Sequence, residues 1–101
     1  MSTFLFSYRM PTGNTPGRPE ALDAWNAWFE ALGARVVTRG NPVFESTSLG
    51  DCGAGSTLGG YSIVTADDLE SAVAMAKGCP ALRNPGAGVE VGVITEVAAT
   101  G

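Results

Sequence analysis

The chain contains no histidine and a single lysine among its 101 residues. Without histidine, the commonest general base and the commonest metal ligand are both missing, and Ser/His/Asp and Cys/His nucleophile arrangements are excluded. The lone lysine, Lys77, falls in the last turn of an expected helix, which argues against a Schiff-base role. Cysteine is nearly as scarce: Cys52 and Cys79 belong to no C-x-x-C pair and read as two reduced thiols. Charged residues make up only 16%, with six basic against ten acidic and a formal net charge of −4. A field of that sign repels a nucleic-acid backbone, and no local basic patch opposes it. Long apolar runs are also lacking. The Phe4-Leu5-Phe6 run is short and has no basic leader, and no later stretch approaches the roughly eighteen apolar residues of a membrane span. These absences lead to the expectation of a cytoplasmic protein with no membrane or nucleic-acid partner, no metal and no cofactor.

What the chain does have is 45% hydrophobic residues, enough for one core, so residues 1–101 read as a single domain. Phe4, Phe6 and Tyr8 alternate with Leu5, Ser7 and Arg9, the period-two signature of a strand over roughly 3–9. A loop dense in turn residues follows from Pro11 to Gly17. Pro19 and Glu20 suit the first turn of a helix. Ala21, Trp25, Trp28, Phe29 and Leu32 form its apolar stripe, and Gly33 its end. A second strand over 35–39 is interrupted by Gly40-Asn41-Pro42, after which Val43-Phe44 continues the extended chain. The region up to Gly60 reads as a mobile connection, followed by a third strand over 60–65. Asp67 and Glu70 resemble a capping box for a second helix, whose buried stripe is Leu69, Ala72, Val73 and Ala76. Lys77, a left-handed Gly78 and Pro80 would end it. The last strand runs from Val89 to about Val97.

The order β-α-β-β-α-β, with right-handed crossovers and short connections, specifies an α+β, ferredoxin-like fold. It has a four-stranded antiparallel sheet in order 4-1-3-2 and both helices on one face. Phe4, Phe6, Tyr8, Tyr61, Ile63, Val89, Val91 and Val93 are assigned to the helix-packed face by weight of apolar volume. Leu5, Ser7, Arg9, Ser62, Val64, Glu90, Gly92 and Ile94 are assigned to the other. That second face is too apolar for water and too polar for a plain core, so a second copy of the same face would cover it and leave a cavity between the sheets. Ser7, Arg9, Ser62 and Glu90 are the candidate cavity residues. Arg9 and Glu90 fall close together on this face, as a structural ion pair or a pocket-lining one.

Other chemistry is sparse. Asp67, Asp68 and Glu70 are explained by helix capping and not by a metal. The glycines at 50, 53, 55, 59 and 60 match no phosphate-binding pattern. Trp25 and Trp28 read as core, and Cys79, just past a helix C-terminus, as a thiol with a raised pKa. Carboxylates and tyrosines remain for acid–base work, chiefly Glu90, Asp51, Tyr8 and Tyr61.

Several segments together resemble the YCII-related proteins, in particular their DGPF-domain branch. These are the Trp25-to-Phe29 helix closing on Leu32-Gly33, Gly40-Asn41-Pro42, and Leu58 to Val64 running into Ala66-Asp67-Asp68-Leu69. Ala76-Lys77-Gly78-Cys79-Pro80 and Val89-Glu90-Val91 complete the set. The resemblance implies a dimeric α+β barrel, in some members with a His-Asp dyad in the cavity, and a setting near extracytoplasmic-function sigma factors. This chain departs from the pattern in lacking the dyad histidine: Ala81 stands where close members carry His after Cys-Pro. The Asp-Gly-Pro-Phe signature is replaced by Asp51-Cys52-Gly53-Ala54.

Three functional expectations follow. The leading one is a cytoplasmic homodimer without catalytic residues that binds a small ligand between its sheets. The second is a lyase- or isomerase-like enzyme with Glu90 as base and Arg9 as anion anchor. The third is an accessory interaction module with a regulatory protein partner, linked to transcription through a sigma factor.

Overall fold

The computed structural model describes residues 1–12 and 19–95, with the side chains of 19–21 left aside. Strand β1 (Ser2–Pro11) is followed by helix α1 (Pro19–Leu32), a 3₁₀ turn (Gly33–Arg35) and strand β2 (Val36–Thr38). Strand β3 (Ser56–Ala66), helix α2 (Leu69–Ala76), a second 3₁₀ turn (Pro80–Arg83) and strand β4 (Gly88–Ile94) complete the order. The sheet is antiparallel throughout in the order β2-β3-β1-β4. The architecture is therefore α+β, with a four-stranded antiparallel sheet and two helices, consistent with a ferredoxin-like fold.

The helix boundaries follow from local chemistry. Helix α1 begins at Pro19, whose missing N–H costs nothing in a first turn. It ends at Gly33, which takes a left-handed φ of 60° that side chains disfavour. The cap of α2 is Asp68, one residue later than Asp67: its carboxylate accepts the Ser71 N–H at 2.8 Å, and this bond holds its pKa below the ordinary value. At the other end Gly78 is not left-handed, contrary to expectation. A Cβ there would approach the Trp28 ring to 3.3 Å, so Gly78 lets α1 come close. The Trp28 indole N–H also donates to the Met75 carbonyl at 3.2 Å, tying α1 to the end of α2.

The core lies between the helices and one face of the sheet. Phe4, Phe6, Tyr8, Val64 and Ala66 meet Trp28 and Phe29 of α1 and Ala72 and Ala76 of α2. Phe6 stacks on Trp28 with centroids 5.9 Å apart, and Tyr8 meets Trp25 edge-on at 4.7 Å. Each such ring contributes about 1.5–3 kcal/mol on burial. Leu69 and Val73, expected in the buried stripe, are instead exposed, because the small residues Ala72 and Ala76 make the close contact. Val93, expected in the core, is 57% exposed at the end of an edge strand. Residues 96 and 97 of the expected last strand, and 13–17 of the expected loop, lie outside the described residues.

The larger correction concerns β3. It starts at Ser56, so the last part of the expected mobile connection is strand. Its register pairs Phe4 with Val64 and Phe6 with Ser62, while Leu5 faces Ile63 and Ser7 faces Tyr61. Cross-strand partners share a face, so Ser62 and Val64 point into the core, and both are 0% exposed. Tyr61 and Ile63 lie on the open face, the reverse of the assignment by volume. The physical reason is packing: Ser62 lies opposite Phe6 and meets the Tyr8 hydroxyl and the Arg39 carbonyl, so a small hydroxyl side chain satisfies both in a fully buried position.

Candidate functional site

The open face of the sheet forms a grid of side chains read across β3, β1 and β4. One row is Ile63, Leu5, Gly92; the next is Tyr61, Ser7, Glu90; the third is Leu58, Arg9, Gly88. Leu58 joins the third row because the ladder skips a residue there: Tyr8 pairs with Gly60 and Arg9 with Leu58, leaving Gly59 as a bulge. The more apolar end of the grid is thus Leu5, Ile63 and Ile94, with Thr3 and Thr65 in its outer row, and the polar end is Ser7, Arg9 and Glu90, with Tyr61 and Leu58 beside them. Glycines on either side of Glu90 leave the β4 edge of the face low.

Three of the four expected cavity residues are brought together here. Ser7 lies directly opposite Glu90, and the Arg9 Nε is 3.6 Å from Glu90 Oε1. The Arg9 guanidinium also donates to the Ser56 carbonyl and hydroxyl, both at 3.3 Å, which aims it along the strand. Arg9 is 27% exposed and Glu90 72%, so within one chain this is a surface pair worth about 0–1 kcal/mol. The fourth, Ser62, is not part of the site. It is buried on the helix side, accepting the Tyr8 hydroxyl at 2.7 Å and donating to the Arg39 carbonyl at 2.7 Å.

Ser62 is instead the middle of a buried polar chain. Burial pushes the Tyr8 hydroxyl well above its ordinary pKa against the opposing pull of the Ser62 bond, so Tyr8 serves as a neutral donor. Arg39 carries the chain outward: its side chain bonds Asn26 Oδ1 at 3.1 Å and lies 5.1 Å over the Phe29 ring. The next residue, Gly40, has φ 72°, and a Cβ there would fall 1.8 Å from the Tyr61 carbonyl oxygen. This segment pairs on with β3, the Tyr61 N–H donating to the Asn41 carbonyl and the Val43 N–H to that of Gly59. The signal for this network in the sequence is slight: a serine between Tyr61 and Ile63 carries no mark of burial.

The remaining candidates scatter. Asp51 accepts the Gly53 N–H in an exposed turn, and Tyr61 accepts from the Asn41 amide. Cys79 is buried and its thiol is pushed up to about 11, as expected in direction. The cause is burial and not a helix end; the Ala81 and Leu82 N–H groups partly oppose it. Cys52 and Cys79 are both free thiols. Among the described residues no group of His, Cys, Asp and Glu could hold a metal ion, and no helix is long and apolar enough to cross a membrane. Comparison with family models, with curated proteins and with solved structures finds no match to the chain.

Proposed function

We propose that this chain is a YCII-like protein that forms a dimeric α+β barrel, two sheets meeting on their open faces, with a small ligand held between them. The carrying observation is the grid itself. Leu5 and Ile63 form an apolar end, while Ser7, Arg9 and Glu90 form a polar end that bare backbone flanks at Gly88 and Gly92. Covering the apolar end with its own copy removes it from water, and the low polar end becomes the wall of a cleft. Arg9 would give that cleft a positive lining group toward a carboxylate or other anion. The resemblance in segment order to YCII-related proteins supports the same reading.

The test is the native mass at micromolar concentration, paired with Leu5→Lys and Ile63→Lys. Wild type should travel as two chains or a multiple of two, and each variant should halve the assembly while keeping the circular-dichroism spectrum of the fold. A lone wild-type chain overturns the reading.

A second reading, a lyase- or isomerase-like enzyme, is favoured by one observation, the 3.6 Å approach of Arg9 to Glu90. Glu90 would take a proton from a substrate that Arg9 anchors by its negative charge. Glu90→Gln would then abolish turnover with the fold intact, and unchanged turnover would remove Glu90 from any catalytic role.

A further inference from the structure

The two edges of the sheet differ in a way that bears on assembly. Strand β2 is short at three residues, has an irregular register against β3, and leads into a segment that itself pairs with β3. Strand β4 has seven residues, Gly88 to Ile94, with one charge and no proline, and among the described residues it is bonded on one side only, to β1. Natural sheets guard such edges with charge, proline, bulges or brevity, and β4 has little of any of these. Beside it lies an apolar shoulder on the helix side. Val93 is 57% exposed, and Leu69 and Val73, one turn apart on α2, are 53% and 38% exposed. Helix α2 packs on β4, and Val93, opposite Phe4, lies on the same side of the sheet.

We infer that β4 pairs antiparallel with β4 of a second copy about a two-fold axis at Val91, joining two sheets edge to edge. The sequence of the strand is complementary to itself in that register. Val91 meets its own copy, Val89 meets Val93, and Gly88 meets Ile94. On the open face Glu90 meets Gly92, so the only charge in the strand faces a position without a side chain and not another carboxylate. A register slipped by two residues about Glu90 would set the two Glu90 carboxylates opposite each other, and like charges there disfavour it. Pairing satisfies the outward main-chain groups of β4 and brings the two apolar shoulders together on the helix side. The occupant is thus a second copy, bound through a different surface from the open face of the proposed barrel.

Gly92 supplies a test whose sign reverses with charge. A Cβ at Gly92 meets nothing within 4 Å and the position has no left-handed φ, so replacement there is unstrained within one chain. Gly92→Glu sets two carboxylate pairs across the axis and should raise the dissociation constant of the edge contact by about tenfold. Gly92→Lys sets lysine against Glu90 and should leave the constant unchanged or lower it. Sedimentation velocity over a concentration series measures both. Gly92 also borders Leu5 on the open face, so the two charges are compared in the Leu5→Lys background, which removes the barrel contact. Wild type reaches four chains, Leu5→Lys stops at two, adding Gly92→Glu to it gives single chains, and adding Gly92→Lys keeps two. Should the open face not assemble, Leu5→Lys has no effect, yet wild type still forms a two-chain species that Glu dissolves and Lys does not. Equal behaviour of the Glu and Lys variants, or a wild type that is a single chain throughout, overturns the edge contact.

Discussion

The two faces of the sheet are built from the same alternating strands but are finished differently. On the helix side large and small residues interlock: Phe4, Phe6 and Tyr8 fit against Val64, Ser62 and Gly60, with Trp28 and Phe29 above. Its buried side-chain hydroxyls, those of Tyr8 and Ser62, are each satisfied by a short bond. On the open side Leu5 and Ile63, both half-buried, share a face with Ser7, Arg9 and Glu90, and no helix side chain of the core cluster lies among them. Alternation therefore defines two faces but does not say which is the interior. That is decided by which set of side chains the helices can fit.

The comparison can be broken most severely at Phe6. Phe6→Ala leaves a cavity under Trp28 and should cost about 3–5 kcal/mol in urea denaturation. Leu5→Ala, one residue away on the other face, should stay within about 0.5 kcal/mol for an isolated chain. If a second copy covers that face, the Leu5 variant acquires a larger and concentration-dependent loss, which sharpens the contrast. Next comes Ser62→Ala, which strands the Tyr8 hydroxyl and the Arg39 carbonyl and should cost about 1–3 kcal/mol. Adding Tyr8→Phe removes one of the stranded groups, so the double variant should lose less than the two single losses combined.

A smaller effect is set by pH. The Cys79 thiol, ordinarily at 9.0, is pushed up to about 11, and Tyr8 is raised from 10.0. Both hold their protons more tightly folded than unfolded. Their contribution is therefore complete below the ordinary values and is lost as pH climbs from these through the raised ones. Thermal midpoints should fall from about pH 9 upward, and Cys79→Ala should flatten the first part of that decline, between about pH 9 and 11. The smallest effect belongs to the open side. Glu90→Gln should change the stability of the isolated chain by about 0–1 kcal/mol.

Much of the fold was legible because local signals agreed with it. Pro19 and Gly33 bracket α1, the aromatic alternation marks β1, and the β-α-β-β-α-β order leaves few topologies for four strands and two helices. The phase of β3 was not legible, because Tyr61 and Ile63 are larger and more apolar than Ser62 and Val64. The winning arrangement depends on Phe6, Tyr8 and Arg39, which are distant in sequence from that strand. The same error placed Ser62 in the candidate site. Ser7, Arg9 and Glu90 were found together because β1 and β4 were phased correctly. The role of Arg39 was missed, since it acts partly through its main-chain carbonyl, which no side-chain pattern reveals.

The unpaired residue at Gly59 also bears on how this strand tolerates changes in length. On the tyrosine side of it odd-numbered positions of β3 look outward, and on the other side even-numbered ones do. Excising Gly59 would let Leu58 meet Arg9 in an ordinary ladder, losing the main-chain bond from Val43 but inverting nothing. Excising Ile63 instead would turn every side chain on one side of the cut inside out. Gly59 is thus a spare position in a segment that elsewhere keeps strict parity.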